Sequence, residues 1–283
     1  MTTSEKTTSP ALDAIVQAVA GCEVVDLTVT LAEQMPANWP THMPFQRKVY
    51  NWYESRSAGQ IQPIHGFRGP YHTAWLVLDE HCGTHVDAPA HFVAPPGSGI
   101  ELSGEMGLVT VEKVDLGKLM GPAAVIDASD LTEQGADGVC VEITADRVRQ
   151  WEAAHGELHA GEIVLFSTGW DAWYRPLPDG AGYVFDPFIM HQGTSWPTPD
   201  VACIEYLHEK GIVTVGLDGV SVGPAHNGVP HHQFGLARGM LYIELLANLS
   251  KLPPRGAYFV CLPLKIEGGS AGPGRAIAFV PKA

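Results

Sequence analysis

The feature that most constrains this chain is the segment 81–92, in which ionisable side chains recur at even intervals. These side chains belong to His81, His85, Asp87 and His91. In an extended strand, successive side chains point to opposite faces, so all four would project from one face. A helix would instead turn Asp87 about 200° away from His85, and Gly83 and Pro89 both disfavour a helix. The spacing therefore predicts a strand with one ionisable face.

Such a face predicts a metal site. Two imidazoles and a carboxylate that converge on one point suit a borderline divalent ion such as Zn²⁺ or Mn²⁺. The alternative is a polar strand face with ordinary hydrogen-bonded histidines, but three histidines and one aspartate on one face favour the metal. A structural zinc site would need a fourth protein ligand, usually a cysteine, and Cys82 is predicted to point to the opposite face. We therefore expect an open, catalytic coordination sphere.

A second group of candidate ligands lies further along the chain. Glu244 stands in the otherwise apolar run 241–246, where a carboxylate is either buried and paired or directed at a cation. His232 could meet Glu244 if the chain turns between them, and Gly235 and Gly239 allow such a turn. Spacing alone also leaves open that Glu244 is a helix cap or a salt-bridge partner.

Short β-rich runs recur along the whole chain. They cover 24–31, 75–78, 108–114, 123–127, 163–167, 212–217, 240–246, 258–262 and 276–280. Helical patterns occur at 10–20, 144–155 and 198–210, the last with Thr198 as its N-cap. Two units of a helix followed by a buried strand, 144–168 and 198–218, favour an α/β domain with a mixed sheet over an all-β barrel.

Two further features are interpreted as structural. Asp218 ends a buried run, where a carboxylate often caps a loop. The stretch 268–274 is rich in glycine and is followed by a predicted strand, so it is a turn-rich loop and not a phosphate cradle.

Composition limits the partners and the compartment. Lys and Arg number 17 against 31 acidic residues, a net charge of −14, which argues against nucleic acid as a partner. No apolar run reaches the length of a membrane span. The five cysteines are odd in number and widely spaced, as in a reduced, cytoplasmic protein. Residues 1–10 are predicted to be a disordered tail, and 11–283 a single domain.

The segment 81–92 resembles the H-x-G-T-H-x-D-x-P-x-H-F signature of the cyclase family of metal-dependent hydrolases. This family includes bacterial kynurenine formamidases, isatin hydrolases and trans-dienelactone hydrolases. Further similar stretches are 26–28, 35–40, 167–170 and 262–269. The resemblance therefore extends from about residue 25 to the carboxyl end, and the first signature is highly specific.

The resemblance implies roles for individual residues. The metal ligands would be His81, His85 and Asp87, and His91 would be the proton donor and acceptor. His232 and Glu244 would complete a second metal site. Trp39 matches a tryptophan that contacts substrate in the formamidases, although the family's W-P-G-D continuation here ends in Thr41 and His42.

It also implies a fold and an activity. The fold would be a compact α/β domain of the swivelling β/β/α type, dimeric or larger. One or two Mn²⁺ or Zn²⁺ ions would activate water to open a small aromatic or cyclic amide or lactone, as isatin hydrolases do, and the additional residues 45–73 match their length. The alternatives are an arylformamidase acting on N-formylkynurenine, a non-haem iron oxygenase using His85, Asp87, a distant histidine and Arg238, and a non-catalytic metal-binding module.

Overall fold

The computed structural model describes residues 9–53 and 69–282. Most of the predicted amino-terminal tail, residues 1–8, lies outside the described residues, as does the central part, 54–68, of the additional segment. Within the described ranges, no helix combines the length and the apolar character that crossing a membrane requires.

Ten β-strands and four α-helices form in the described residues. The strands are β1 (Cys22–Asp26), β2 (Gln46–Trp52), β3 (His72–Val77), β4 (His85–Asp87), β5 (Met120–Asp127), β6 (Ile163–Ser167), β7 (Thr214–Leu217), β8 (Leu241–Glu244), β9 (Tyr258–Pro263) and β10 (Ala271–Pro281). The helices are α1 (Pro10–Ala20), α2 (Ala145–His155), α3 (Val201–Glu209) and α4 (Val229–Leu236).

Eight strands form one mixed sheet in the order β1-β10-β4-β8-β7-β6-β5-β9. The strands from β5 through β6 and β7 to β8 are parallel to one another, whereas β4, β9 and β10 pair antiparallel. Because β10 also pairs with β9, the sheet closes on itself. The predicted α/β domain with a mixed sheet is confirmed, and the closure is a feature that the sequence pattern did not predict. Strands β2 and β3 form a separate hairpin.

The core has two apolar layers, one on each face of the central strands. On β6, Val164 and Phe166 pack in a cluster with side chains from α2, α3 and α4. Ile163 and Leu165 point the other way, into a second cluster formed largely by the strands of the closed sheet. Burial on both faces explains why this strand reads as a continuous apolar run.

Helix α3 begins later than the sequence pattern predicts. Asp200 is the N-cap, and its side chain accepts a hydrogen bond from Cys203 N at 2.6 Å. Thr198, the predicted cap, is buried, and its carbonyl accepts from Ile143 N at 2.8 Å. The chain at Thr198 is therefore held in an extended bridge, which prevents the helix from starting there.

Other secondary-structure elements also differ from those predicted from the sequence. The predicted strand 108–114 is wrong, because the chain there forms two short 3₁₀ turns, Glu105–Leu108 and Val111–Lys113. Strand β2 and helix α4 were not predicted. The carboxyl half of the predicted loop 268–274 belongs to β10, which begins at Ala271 beside Asp87 of β4.

The segment 81–92 is extended only in its middle. Strand β4 covers His85–Asp87, and the predicted strand is wrong on both sides of it. Gly83 has φ +66°, a left-handed conformation that glycine adopts readily, so His81 lies in a turn. Pro89–His91 form a 3₁₀ turn. His81 and His91 therefore reach the face of β4 from turns at its two ends.

Packing of α4 against β8 gives a testable prediction about stability. A Cβ atom on Gly235 would overlap Tyr242 Oη, which donates to His231 O at 2.9 Å. Alanine is favoured over glycine within a helix by about 1 kcal/mol, but overpacking a core costs about 1–3 kcal/mol. We expect Gly235→Ala to lower the free energy of unfolding in urea, because the overlap outweighs the helix propensity.

Adding Tyr242→Phe provides the control. It removes the atom that overlaps most but keeps Cζ, 2.6 Å from the added Cβ, so the relief is partial. The double variant should still lose less than the sum of the two single changes. A Gly235→Ala protein more stable than the wild type would contradict the close approach of α4 to β8.

Candidate metal centre

The candidate ligands come together because of strand pairing. Strand β4 lies between β8 and β10, and its register with β8 places His85 opposite Glu244. Helix α4 carries His232, which faces the same group from the side. The structure therefore brings together the two sets of residues that lie far apart in the sequence.

The first set surrounds one carboxylate oxygen. Asp87 Oδ1 lies 3.0 Å from His81 Nδ1 and 3.3 Å from His85 Nε2. The two ring nitrogens are 3.2 Å apart. Three donor atoms thus converge, as the even spacing predicts, although His81 stands outside the strand that carries the other two residues.

The second set adjoins the first. Glu244 Oε2 lies 3.5 Å from His85 Nε2, and Glu244 Oε1 lies 3.3 Å from His232 Nε2. His232 Nε2 is 3.7 Å from Asp87 Oδ2. The structure therefore favours a buried carboxylate directed at the cluster over a helix cap for Glu244. Val222 N donates to its Oε1 at 2.7 Å and fixes its orientation.

Backbone carbonyls orient two of the imidazoles. His85 Nδ1 lies 2.7 Å from Gly83 O, and His232 Nδ1 lies 2.9 Å from Gly228 O. A carbonyl can only accept, so each Nδ1 carries a proton. The lone pair available for a cation is then on Nε2, the atom that faces the carboxylates. This is the usual arrangement of histidine ligands in metal sites.

The burial and contacts of Asp87 show whether a cation fits this cluster. The side chain is fully buried, and its oxygens make no well-aligned hydrogen bond among the described residues; they lie instead against the ring nitrogens of His81, His85 and His232. Burial alone would raise the pKa of Asp87, but the neighbouring imidazoles of His91, His81 and His85 hold it well below its usual range. A buried carboxylate that faces imidazoles instead of backbone amides is costly unless a positive charge compensates it. The donor set of imidazole and carboxylate therefore fits a divalent cation.

The protonation of His85 supports the same conclusion. Burial would lower the pKa of His85, but its contacts with Asp87 and Glu244 raise it to about 10. In the cluster without metal, a proton on His85 therefore balances part of the carboxylate charge. Divalent cations compete with protons for such ligands, so the position is one that a metal ion can occupy instead.

His91 completes the cluster from the 3₁₀ turn. Its ring centroid lies 4.0 Å from that of His81 and 5.9 Å from that of His232. Burial lowers the pKa of His91 to about 4, so the ring is neutral at pH 7. Donor atoms of His81, Asp87 and His91 lie within 4.8 Å of one another, so the geometry suits both a proton acceptor and a further ligand.

A cavity of about 400 Å³ opens above the cluster. Trp39 forms part of its wall, with its ring centroid 4.3 Å from that of Phe188. Phe92 stacks on His232 at 4.5 Å. His42 also lines this cavity. It is one of the two residues at which the chain departs from the family's W-P-G-D pattern. The candidate metal centre therefore lies at the base of a partly aromatic pocket.

Several lining residues were not predicted. Ser221 Oγ lies 3.4 Å from His232 Nε2, and Phe188 lies opposite Trp39. A signal existed for Ser221, because it follows Asp218 at the end of a buried strand, where ligands often bind in α/β folds. Asp218 itself accepts from the backbone of Thr168 and Gly169, in keeping with its interpretation as structural.

Arg238 of the oxygenase alternative lies away from this centre. Its side chain is exposed, stacks on the Phe234 ring at 3.6 Å and donates to Phe234 O. The structure therefore places the arginine of that alternative outside the pocket.

Comparison with known proteins relates this chain to one family by a family model and by individual relatives. The family model described as "Putative cyclase" matches residues 25–224. Isatin hydrolase from Roseibium aggregatum is 40% identical over 221 residues, which are 74% of this chain and 75% of that protein. Kynurenine formamidase from Salinibacter ruber is 30% identical over 208 residues, 71% of this chain and 77% of that protein.

Solved structures are similar over nearly the whole chain. An isatin hydrolase bound to the product analogue thioisatinate superposes with a TM-score of 0.76 at 29% identity, covering 98% of this chain and 100% of that one. Isatin hydrolase A from Ralstonia solanacearum gives a TM-score of 0.74 at 29% identity, with 97% and 98% covered. The resemblance seen in the sequence is confirmed: the chain belongs to the cyclase family.

Proposed function

We propose that this protein is a metal-dependent hydrolase that opens a cyclic amide such as isatin. The observation that carries the proposal is the fully buried carboxylate of Asp87, surrounded by imidazoles at the base of a partly aromatic pocket. The 40% identity to an isatin hydrolase supports the substrate class. The proposal extends to a lactone of similar shape.

The residues that would hold the metal are those of the two adjoining sets. They are His81, His85, Asp87, His232 and Glu244. In such a site, a divalent cation supplies acidified water and polarisation of a carbonyl oxygen. Imidazole and carboxylate ligands suit Mn²⁺ and Zn²⁺ alike. Asp87 belongs to both groups of converging donors, an arrangement compatible with one ion or with two.

His91 would move the proton. Its ring is neutral at pH 7 because burial lowers its pKa to about 4, so it can accept a proton from the attacking water. The protonated ring can then donate to the ring nitrogen of the substrate as the amide C–N bond breaks. General base and general acid are thus the same side chain at successive steps.

Trp39 would hold the substrate. It forms an aromatic wall with Phe188 on one side of the pocket, and a flat ring fused to a lactam can pack against such a wall. The departure of Thr41 and His42 from the formamidase pattern leaves Trp39 in place while changing the residues beside it.

The second candidate is an arylformamidase acting on N-formylkynurenine. It is favoured by the formamidase relatives and by the meeting of His232 with Glu244. A homo-oligomeric assembly and a cytoplasmic location stay predictions from the sequence.

A substrate panel tests the proposal. Protein loaded with Mn²⁺ or Zn²⁺ is assayed with isatin, 2-coumaranone as the lactone, and N-formylkynurenine. We expect kcat/KM for isatin to exceed that for N-formylkynurenine by about tenfold or more. The reverse order would favour the arylformamidase. No turnover of any member would leave a metal-binding module as the better description.

Replacement of His91 separates proton transfer from metal binding. We expect His91→Ala to lower kcat by about 10²–10⁴ while the metal content, measured by mass spectrometry, stays that of the wild type. Replacing the exposed His159 by alanine is the control and should change neither quantity. Loss of metal from His91→Ala would instead identify His91 as a ligand.

Removal of the metal should lower stability. Ligand at about 100 times its Kd stabilises a fold by about 2.7 kcal/mol, which raises Tm by roughly 5–8 °C in a chain of this size. We expect Mn²⁺ to raise the Tm of the chelator-treated wild type and to have no effect on Asp87→Asn. Asp115→Asn changes an exposed turn cap and should keep the shift. A normal shift in Asp87→Asn would remove Asp87 from the ligand set.

A further inference from the structure

His81 differs from the other two imidazoles in how it is oriented. His85 and His232 each donate from Nδ1 to a backbone carbonyl and present Nε2 to the cluster. His81 presents Nδ1, which lies 3.0 Å from Asp87 Oδ1. Its Nε2 contacts a side chain, Ser270 Oγ, at 3.4 Å. The orientation of this ring therefore depends on a side chain from another part of the molecule.

Ser270 is in turn held by Glu80. Glu80 Oε2 accepts from Ser270 Oγ at 2.9 Å and from Ser270 N at 2.8 Å, with Ala271 N at 3.4 Å. The same loop is fastened to the sheet, because Ser270 O accepts from Ala88 N at 2.9 Å. The serine hydroxyl is therefore fixed in position between a carboxylate and an imidazole.

The direction of each hydrogen bond follows from the chemistry of the groups. A carboxylate only accepts, so the Ser270 hydroxyl donates its proton to Glu80. The lone pairs of that hydroxyl are then free to accept, and His81 must donate from Nε2. An imidazole with its proton on Nε2 carries its lone pair on Nδ1, the atom that faces Asp87.

We propose that Glu80 and Ser270 are positioning residues that fix His81 in the Nε2–H form and direct its Nδ1 at the metal ion. The inference rests on the proposed metal-dependent function. A carboxylate behind a ligand imidazole also makes that ligand more basic and strengthens its bond to a cation. Asp79 holds the main chain of the same residue, because its Oδ1 accepts from His81 N at 2.9 Å. The acidic pair before His81 therefore orients both its backbone and its ring.

Metal affinity provides the first test. The Kd of Mn²⁺ is measured by calorimetry on the chelator-treated full chain. Loss of an outer hydrogen-bond partner of a ligand weakens metal binding by about 10–100-fold, and we expect this loss in both Ser270→Ala and Glu80→Gln. Ser270→Thr keeps the hydroxyl and should recover most of the affinity. Ser98→Ala removes an exposed serine hydroxyl that also accepts a backbone hydrogen bond and should leave the Kd unchanged.

Stability of the metal-free proteins separates positioning from a general structural role. If Ser270 positions His81, the urea midpoint of metal-free Ser270→Ala stays close to that of the wild type while its Mn²⁺ affinity falls. If Ser270→Ala bound Mn²⁺ as tightly as the wild type, the proposed positioning of His81 by Ser270 would be overturned. Loss of affinity in Glu80→Gln alone would overturn it too, because Glu80 would then act only through the loop backbone.

A spectroscopic measurement tests the proposal without any variant. In ¹⁵N imidazole NMR spectra of the Zn²⁺-loaded wild type, His81 should carry its proton on Nε2, whereas His85 and His232 carry theirs on Nδ1. A proton on Nδ1 of His81 would overturn the proposal even if Ser270→Ala failed to fold. Failure of the wild type to bind either Mn²⁺ or Zn²⁺ would overturn the metal centre itself, and the wild type and all variants would then behave alike.

Discussion

A buried carboxylate that is faced by imidazoles is the constraint on which this site depends. Asp87 is fully buried in the sheet, and its oxygens face imidazoles instead of backbone amides. Glu244 brings a second negative charge into the same small volume. Neutral histidines cannot offset two charges in a medium of low dielectric. Protons or a cation must therefore be part of the folded state. Without metal, His85 holds such a proton, because its pKa is raised.

The closed sheet makes such a demanding arrangement possible. Strand β4 has only three residues, but β8 and β10 pair with it on both sides, and all three residues are buried. Side chains alternate along a strand, so a slip of one residue between β4 and β8 would turn Glu244 to the opposite face. Close packing of α4 against β8 at Gly235 then determines how near His232 lies to the cluster. The geometry of the cluster is therefore determined by contacts between segments distant in the chain.

This dependence explains what the sequence could and could not predict. The even spacing within 81–92 correctly grouped four side chains, although only His85–Asp87 form the strand. The turn at Gly83 and the 3₁₀ turn after Pro89 happen to preserve the grouping. The meeting of His232 with Glu244 followed from the family resemblance, because their spacing alone contains no strand register. Ser270 could not be found at all, since it reaches His81 only through the pairing of β10 with β4.

Burial favours the neutral form of both His91 and Asp87, but the outcome differs between the two groups, and the difference is chemically useful. Loss of water favours the neutral form of any group, and for His91 this effect dominates and lowers its pKa to about 4. For Asp87 the surrounding imidazoles overcome the same effect and keep the carboxylate ionised. One enclosed pocket thus contains a free base and an anion that requires a cation. Hydrolysis of an amide needs both a proton acceptor and a centre that stabilises negative charge on oxygen. Burial of His91 and the imidazoles around Asp87 therefore supply the two together within one pocket.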